Sequence, residues 1–124
     1  MTMPETRSQE PAINFSELLA RVENDKELLL DLISMFRDEY PQQRQQLQSA
    51  VDTADMKQIH TLGHTLKGVF ANLAMTRAAK TAARIEQAGK DANTAELKVA
   101  LPALDQEVAN LFVELDRDLT DILA

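Results

Sequence analysis

The sequence contains no cysteine, no tryptophan, one tyrosine and only three glycines in 124 residues. Without cysteine there is no disulfide framework, no thiol nucleophile and no thiolate zinc site, which fits a reducing compartment. Nowhere do about 18 apolar residues run together, as a membrane span requires. The start, Met1-Thr-Met-Pro-Glu-Thr-Arg, lacks the basic-then-apolar order of a signal peptide. A cytoplasmic location, with no membrane contact by these residues, is therefore expected. An excess of positive charge is also missing. The net charge of −7 argues against nucleic acid as a partner, because duplex binding draws on Lys and Arg at phosphates. No glycine-rich phosphate loop is present, so a nucleotide-binding kinase fold has no foundation. Asn-Gly and Asp-Gly turns and strand-like alternation are absent, and strand content should be near zero.

What remains is ordinary for a globular domain. Apolar residues make up 44% of the chain and charged residues 27%, too apolar a mixture for disorder. Between Met56 and Lys90, six cations (Lys57, Lys67, Arg77, Lys80, Arg84 and Lys90) face the single acid Glu86. A basic island on an acidic protein suits an acidic partner or a phosphoryl group.

Residues 1–12, polar and containing Pro4 and Pro11, read as a flexible tail or linker, and residues 13–124 as one helical domain. Asn14 with Glu17 has capping-box spacing for a short first helix carrying Phe15, Leu18, Leu19 and Val22. Asn24 or Asp25 starts a second helix that runs to about Ala50, with Pro41 expected to kink or split it. Asp52 or Thr53 can cap a third helix to about Leu73, Thr76 a fourth stopping at Gly89, and Asn93 or Thr94 a fifth that Pro102 can divide. Such helices pack most simply as an all-α antiparallel four-helix bundle, with the short first helix over one end.

The informative stretch is Ile59 to Leu73. At about 100° per residue, Ile59, Leu62, Gly63, Leu66, Phe70 and Leu73 form the core-facing stripe. His64 points away from it, and His60, Lys67, Gly68 and Ala71 share its outward sector. A lone outward histidine is by default surface filler, but Gly68 changes that reading. Helical side chains lean toward the N-terminus, so the residue four positions after His64 would cover its ring, and glycine leaves it bare. An exposed mid-helix glycine costs on the order of 1 kcal/mol relative to alanine, which suggests that something approaches closely. Lys67, one turn on, can bring its charge to a phosphoryl group on the imidazole. A neutral imidazole offers a nitrogen lone pair able to attack phosphorus.

His64-Thr-Leu-Lys67-Gly68, followed by Ala71-Asn72-Leu73, closely resembles the signature of histidine-containing phosphotransfer (HPt) domains. The resemblance extends over roughly residues 13 to 120 through Phe15-Ser-Glu-Leu-Leu, the Leu28 to Phe36 run with Glu39 and Pro41, and Arg84-Ile85-Glu86. It implies an HPt-type four-helix bundle whose His64 exchanges a phosphoryl group with the phospho-aspartate of a response-regulator receiver domain in a two-component phosphorelay. The domain would then be carrier and substrate, not enzyme. On that resemblance Lys67 attends the phosphoryl oxygens, Gly68 admits the receiver, Glu86 orients the imidazole, His60 adjoins it, and Ala71, Arg77 and Arg84 belong to the docking surface. No cofactor is implied for this chain, since Mg²⁺ belongs to the receiver. A hybrid sensor kinase carrying these residues, itself membrane-bound, is compatible with the resemblance, and a monomer is expected. Two positions depart from the family pattern: Val69-Phe70, where small residues are common, and Ala74, where glycine is.

Two other readings compete. His60 and His64 have the four-residue spacing of helical zinc ligands, but Thr61 replaces the glutamate of a zinc protease and no third ligand is evident on this face, so no metal site is expected. The other is a helical interaction module that docks a receiver or another protein without carrying phosphate.

Overall fold

The computed structural model describes residues 10–123, with side chains through Thr120. Among the described residues there are five helices and no strand: α1 (Phe15–Arg21), α2 (Lys26–Asp52), α3 (Met56–Asn72), α4 (Thr76–Asp91) and α5 (Thr94–Leu123). Four of them begin on a side chain that accepts from an otherwise orphaned N–H, as helix starts require. Asn14 accepts from Glu17, Asp25 from Leu28, Asp55 from Gln58 and Asn93 from Glu96, all at 3.0–3.1 Å.

The four long helices bury one apolar stripe each. Leu29, Ile33, Phe36 and Leu47 of α2 meet Ile59, Leu66 and Phe70 of α3, Ala82 and Ile85 of α4, and Leu104, Leu111 and Leu115 of α5. Phe70, one of the departures from the family pattern, is fully buried, edge-on to Phe36 with ring centroids 5.8 Å apart. A small residue there would leave that aromatic cluster hollow. Over one end sits α1, through buried Ile13 and Leu18. Asn14 N–H donates to the Ala74 carbonyl at 2.9 Å. Arg21 donates to the carbonyls of Ala71 and Asn72 at 2.7 and 3.0 Å, adding to the Ala74 N–H at the first and meeting an acceptor that the end of α3 leaves open at the second.

Several boundaries differ from the sequence expectation. The cap of α3 is Asp55, not Asp52 or Thr53, because α2 runs on through Asp52. Thr53 closes α2, its hydroxyl donating to the Ser49 carbonyl at 2.9 Å. Thr76 is the first residue of α4 and not its cap, a place taken by Met75 with no side-chain hydrogen bond. Gly89 does not end α4, which continues to Asp91. Neither Pro41 nor Pro102 splits its helix. Each proline lies on the solvent side, where water can reach the carbonyl its missing N–H releases, and buried residues such as Tyr40 and Leu101 anchor the helix beside it. Of the segment read as a tail, residues 1–9 lie outside the described residues. Residues 10–12 lie against the bundle: Glu10 pairs with Lys80 at 2.8 Å, and the N–H of buried Ala12 donates to both Glu114 carboxylate oxygens at 2.9 and 3.0 Å.

The helix pairs are joined differently. Between α2 and α5 the link is made by long side chains: Arg44 grips Asp105 through two hydrogen bonds of 2.7 and 3.1 Å, and Arg37 meets Asp116 at 2.7 Å. Between α3 and α4 the backbones themselves touch. A Cβ at Gly63 would lie 2.6 Å from the Glu86 backbone nitrogen, and one at Gly89 would lie 2.6 Å from that of His60. These two glycines are reciprocal, each on one helix and facing the backbone of the other, so they fix both the separation and the register of the pair.

Candidate functional site

That register places the site. Gly63 immediately precedes His64, and the backbone it admits is that of Glu86, so the Glu86 side chain rises beside the outward face of α3. Its carboxylate becomes the centre of a cluster. His64 Nδ1 lies 2.9 Å from Glu86 Oε2, Lys67 Nζ lies 2.6 Å from Oε1, and His60 Nε2 lies 3.8 Å from the same Oε2. The Lys67 ammonium, and after it the hydrogen bond with His64, holds the Glu86 carboxyl below the usual carboxylate range, against the opposing effect of partial burial.

An ionised carboxylate only accepts hydrogen bonds. His64 Nδ1 must therefore carry the proton that it donates to Glu86, and the lone pair is left on Nε2. The His64 side chain is 68% exposed while that of Glu86 is only 17% exposed, so the carboxylate supports the ring from beneath and the free nitrogen faces solvent. Gly68 completes the opening, since a Cβ there would meet nothing within 4 Å. Chemically, the arrangement is an accessible imidazole anchored through Nδ1, with a flexible cation one helical turn away.

The expected site residues thus divide. His60, His64, Lys67 and Glu86 converge in one network, and Gly68 and exposed Ala71 continue the same face of α3. Arg77 and Arg84 do not join them. Both are engaged toward α5, Arg77 with Glu107 at 3.0 Å and Arg84 with Glu96 at 2.9 Å. The basic island of the sequence is consequently not a free positive surface. Lys67, Arg77, Lys80 and Arg84 each pair with an acid, all but Glu86 from outside the segment, and only Lys57 and Lys90 lack an ion pair among the described residues. The group that the zinc reading lacked on α3 does arrive from α4, as Glu86, but it holds Lys67. Among the described residues no cluster of three His, Cys, Asp or Glu side chains is arranged to hold a metal, and no helix is long and apolar enough to cross a membrane.

Two contributors were not read from the sequence. Gly89 looked like a helix stop, yet its role is close approach to His60. The only local signal was that its helical spacing from Ile85 and Ala82 keeps it on the buried stripe. Arg21 holds the end of α3 through a contact between distant segments, which no local pattern announces. Compared with known families, residues 31–122 match the model described as Hpt domain, covering all of α3 and α4 and most of α2 and α5. No curated protein and no solved structure matches the chain.

Proposed function

The chain belongs to the Hpt domain family, phosphotransfer modules of two-component signalling that carry a phosphoryl group without catalysing its transfer, and from that premise we propose that His64 is the phosphoacceptor, exchanging its phosphoryl group with the aspartyl phosphate of a response-regulator receiver domain. The observation that carries this is the Nδ1 to Glu86 hydrogen bond of 2.9 Å beneath an otherwise bare ring. With Nδ1 protonated, Nε2 attacks phosphorus. The N–P bond forms as the P–O bond of the acyl phosphate breaks, and the receiver carboxylate leaves with the electron pair. Glu86 stabilises the positive charge that develops on the imidazole, and Lys67 turns from Glu86 to the incoming phosphoryl oxygens. The Mg²⁺ and acidic pocket belong to the receiver, so this chain supplies nucleophile, charge and access. The partner is a receiver domain, free or fused with these residues in a hybrid sensor kinase whose cytoplasmic part they would form, and a single copy of the bundle suffices to present the histidine.

The test is transfer from a phosphorylated receiver domain to this protein. Acid-labile, base-stable label should appear on wild type and be absent from His64→Gln with the helical circular dichroism unchanged. Label persisting on the variant would move the acceptor elsewhere, with His60 the next candidate, and no label on wild type would leave a docking module.

A further inference from the structure

Glu86 is shared by three basic groups, and phosphorylation removes one of them. In the resting site Lys67 satisfies Oε1 at 2.6 Å and His64 satisfies Oε2 at 2.9 Å, while His60 stands 3.8 Å from Oε2, slightly beyond a hydrogen bond. If Lys67 turns to a phosphoryl group on His64, a carboxylate that is only 17% exposed loses its main counter-ion just as about two negative charges arrive nearby. The His64 imidazolium still holds Oε2, but a partly buried carboxylate that loses its ammonium at Oε1 beside an arriving dianion is less well balanced than in the resting site. Among the described residues His60 is the other basic group within salt-bridge range of it, and an imidazole can gain a charge near neutral pH without any side chain being recruited from solution.

Resting on the reading of His64 as phosphoacceptor, we propose that His60 is a positioning residue that takes up a proton when His64 is phosphorylated and replaces Lys67 as the counter-ion of Glu86. Lys67 is then free for the phosphoryl group, and Glu86 stays ionised to hold the His64 Nδ1 proton. The balance is simple: the N–P bond forms as above, His64 keeps its Nδ1 proton, and the proton on His60 comes from solvent. The charges around His60 are few. On α3 these are Lys57, one turn before it, and His64, one turn after. On α4 they are Glu86 and, one turn further along that helix, Lys90, while no group of α2 or α5 forms an ion pair with it among the described residues. Gly89 brings the α4 backbone against His60, and the ring has only to close from 3.8 Å to hydrogen-bond distance of the carboxylate.

The sign follows from proton linkage: the phosphorylated form binds one more proton, so lower pH favours it and the advantage fades as His60 deprotonates. The experiment uses potassium phosphoramidate as donor, with ³¹P NMR for the extent of phosphorylation and ring-proton NMR for His60. In wild type the His60 resonances should titrate at higher pH in the phosphorylated protein than in the resting one. Between about pH 6 and pH 8, phosphorylation should weaken about fivefold more in wild type than in His60→Gln or His60→Lys, neither of which titrates there. His60→Lys, with a permanent charge, should remain the better acceptor of the two at the upper end of that range. Coincident His60 titration curves in the two forms, or equal pH dependence in all three proteins, would overturn the proposal while leaving His64 as acceptor. Absence of phosphohistidine at residue 64 would remove the functional reading, and this inference with it.

Discussion

Gly63 and Gly68 lie five residues apart on one helix and do opposite things. At Gly63 an added Cβ would stand 2.6 Å from the backbone of α4, and at Gly68 it would meet nothing within 4 Å. The first glycine, with Gly89, lets two helices touch, and the second keeps the helix from covering His64. None of the three glycines has positive φ, whereas Glu23, Asn24, Ala54, Ala74 and Ala92 do. The bends that glycine would suit are left to residues with side chains, and glycine is kept for a seam and for a bare patch. The face of α3 that presents His64 and the seam that positions Glu86 are therefore two products of one helix, one giving access and the other geometry.

The sharpest way to break this contrast is to add the same methyl group on either side. Gly63→Ala should destabilise the fold by about 3 kcal/mol, because the clash is with backbone and α4 must move as a whole. Gly68→Ala should stabilise it by about 1 kcal/mol through helix propensity alone. Urea unfolding midpoints decide the matter, and shifts of the same sign would show that the two positions are not different in kind. Gly68→Gln should keep the fold and slow phosphotransfer by screening the ring. Unchanged rates at saturating receiver would mean that access is not its role.

A change of similar size tests the other half of the contrast. Ala92 ends α4 in the left-handed region at φ 53°, a conformation that costs an L-residue about 1 kcal/mol or more relative to glycine. Ala92→Gly should raise stability by about 1 kcal/mol with phosphotransfer unaffected, measured by the same unfolding midpoints. A loss of stability would mean that the fold depends on alanine at that bend. Ala74, buried at φ 58°, carries the same conformation in the turn after α3, so the departure from the family's common glycine changes the residue and keeps the left-handed bend.

How much of this could be read from the sequence depended on distance along the chain. The helices, the outward sector of His64 and the openness at Gly68 all follow from periodicity within one segment. Asn14 was legible as a cap for the same reason, and Asp25 and Asn93 each as one of two adjacent candidates. Asp55 was missed because Asp52 and Thr53 present capping side chains just before it, and only the packing of α2 decides where one helix stops and the next begins. The prolines misled because their local cost is real but smaller than the burial on either side. Charge was the least legible feature: the basic segment pairs with acids brought from Glu10, Glu96 and Glu107, contacts that exist only after folding.

The smallest expected effect separates geometry from stability within the site. The Lys67–Glu86 pair is short at 2.6 Å, but the Lys67 side chain is 39% exposed, so solvent screening should hold its contribution to under about 1 kcal/mol. Glu86 is held below its ordinary carboxyl range in the folded state. That contribution is therefore complete above the unfolded value and lost as pH falls through the lowered folded one. Lys67→Met should unfold slightly more easily than wild type at neutral pH, and the two proteins should converge in acid, as followed by circular dichroism. Phosphotransfer at neutral pH should fall far more than stability, because the role proposed for the lysine is toward a group absent from the resting fold. If stability and transfer fell together, the face of α3 would be part of the scaffold after all, and the division of labour between Gly63 and Gly68 would not extend to the side chains beside them.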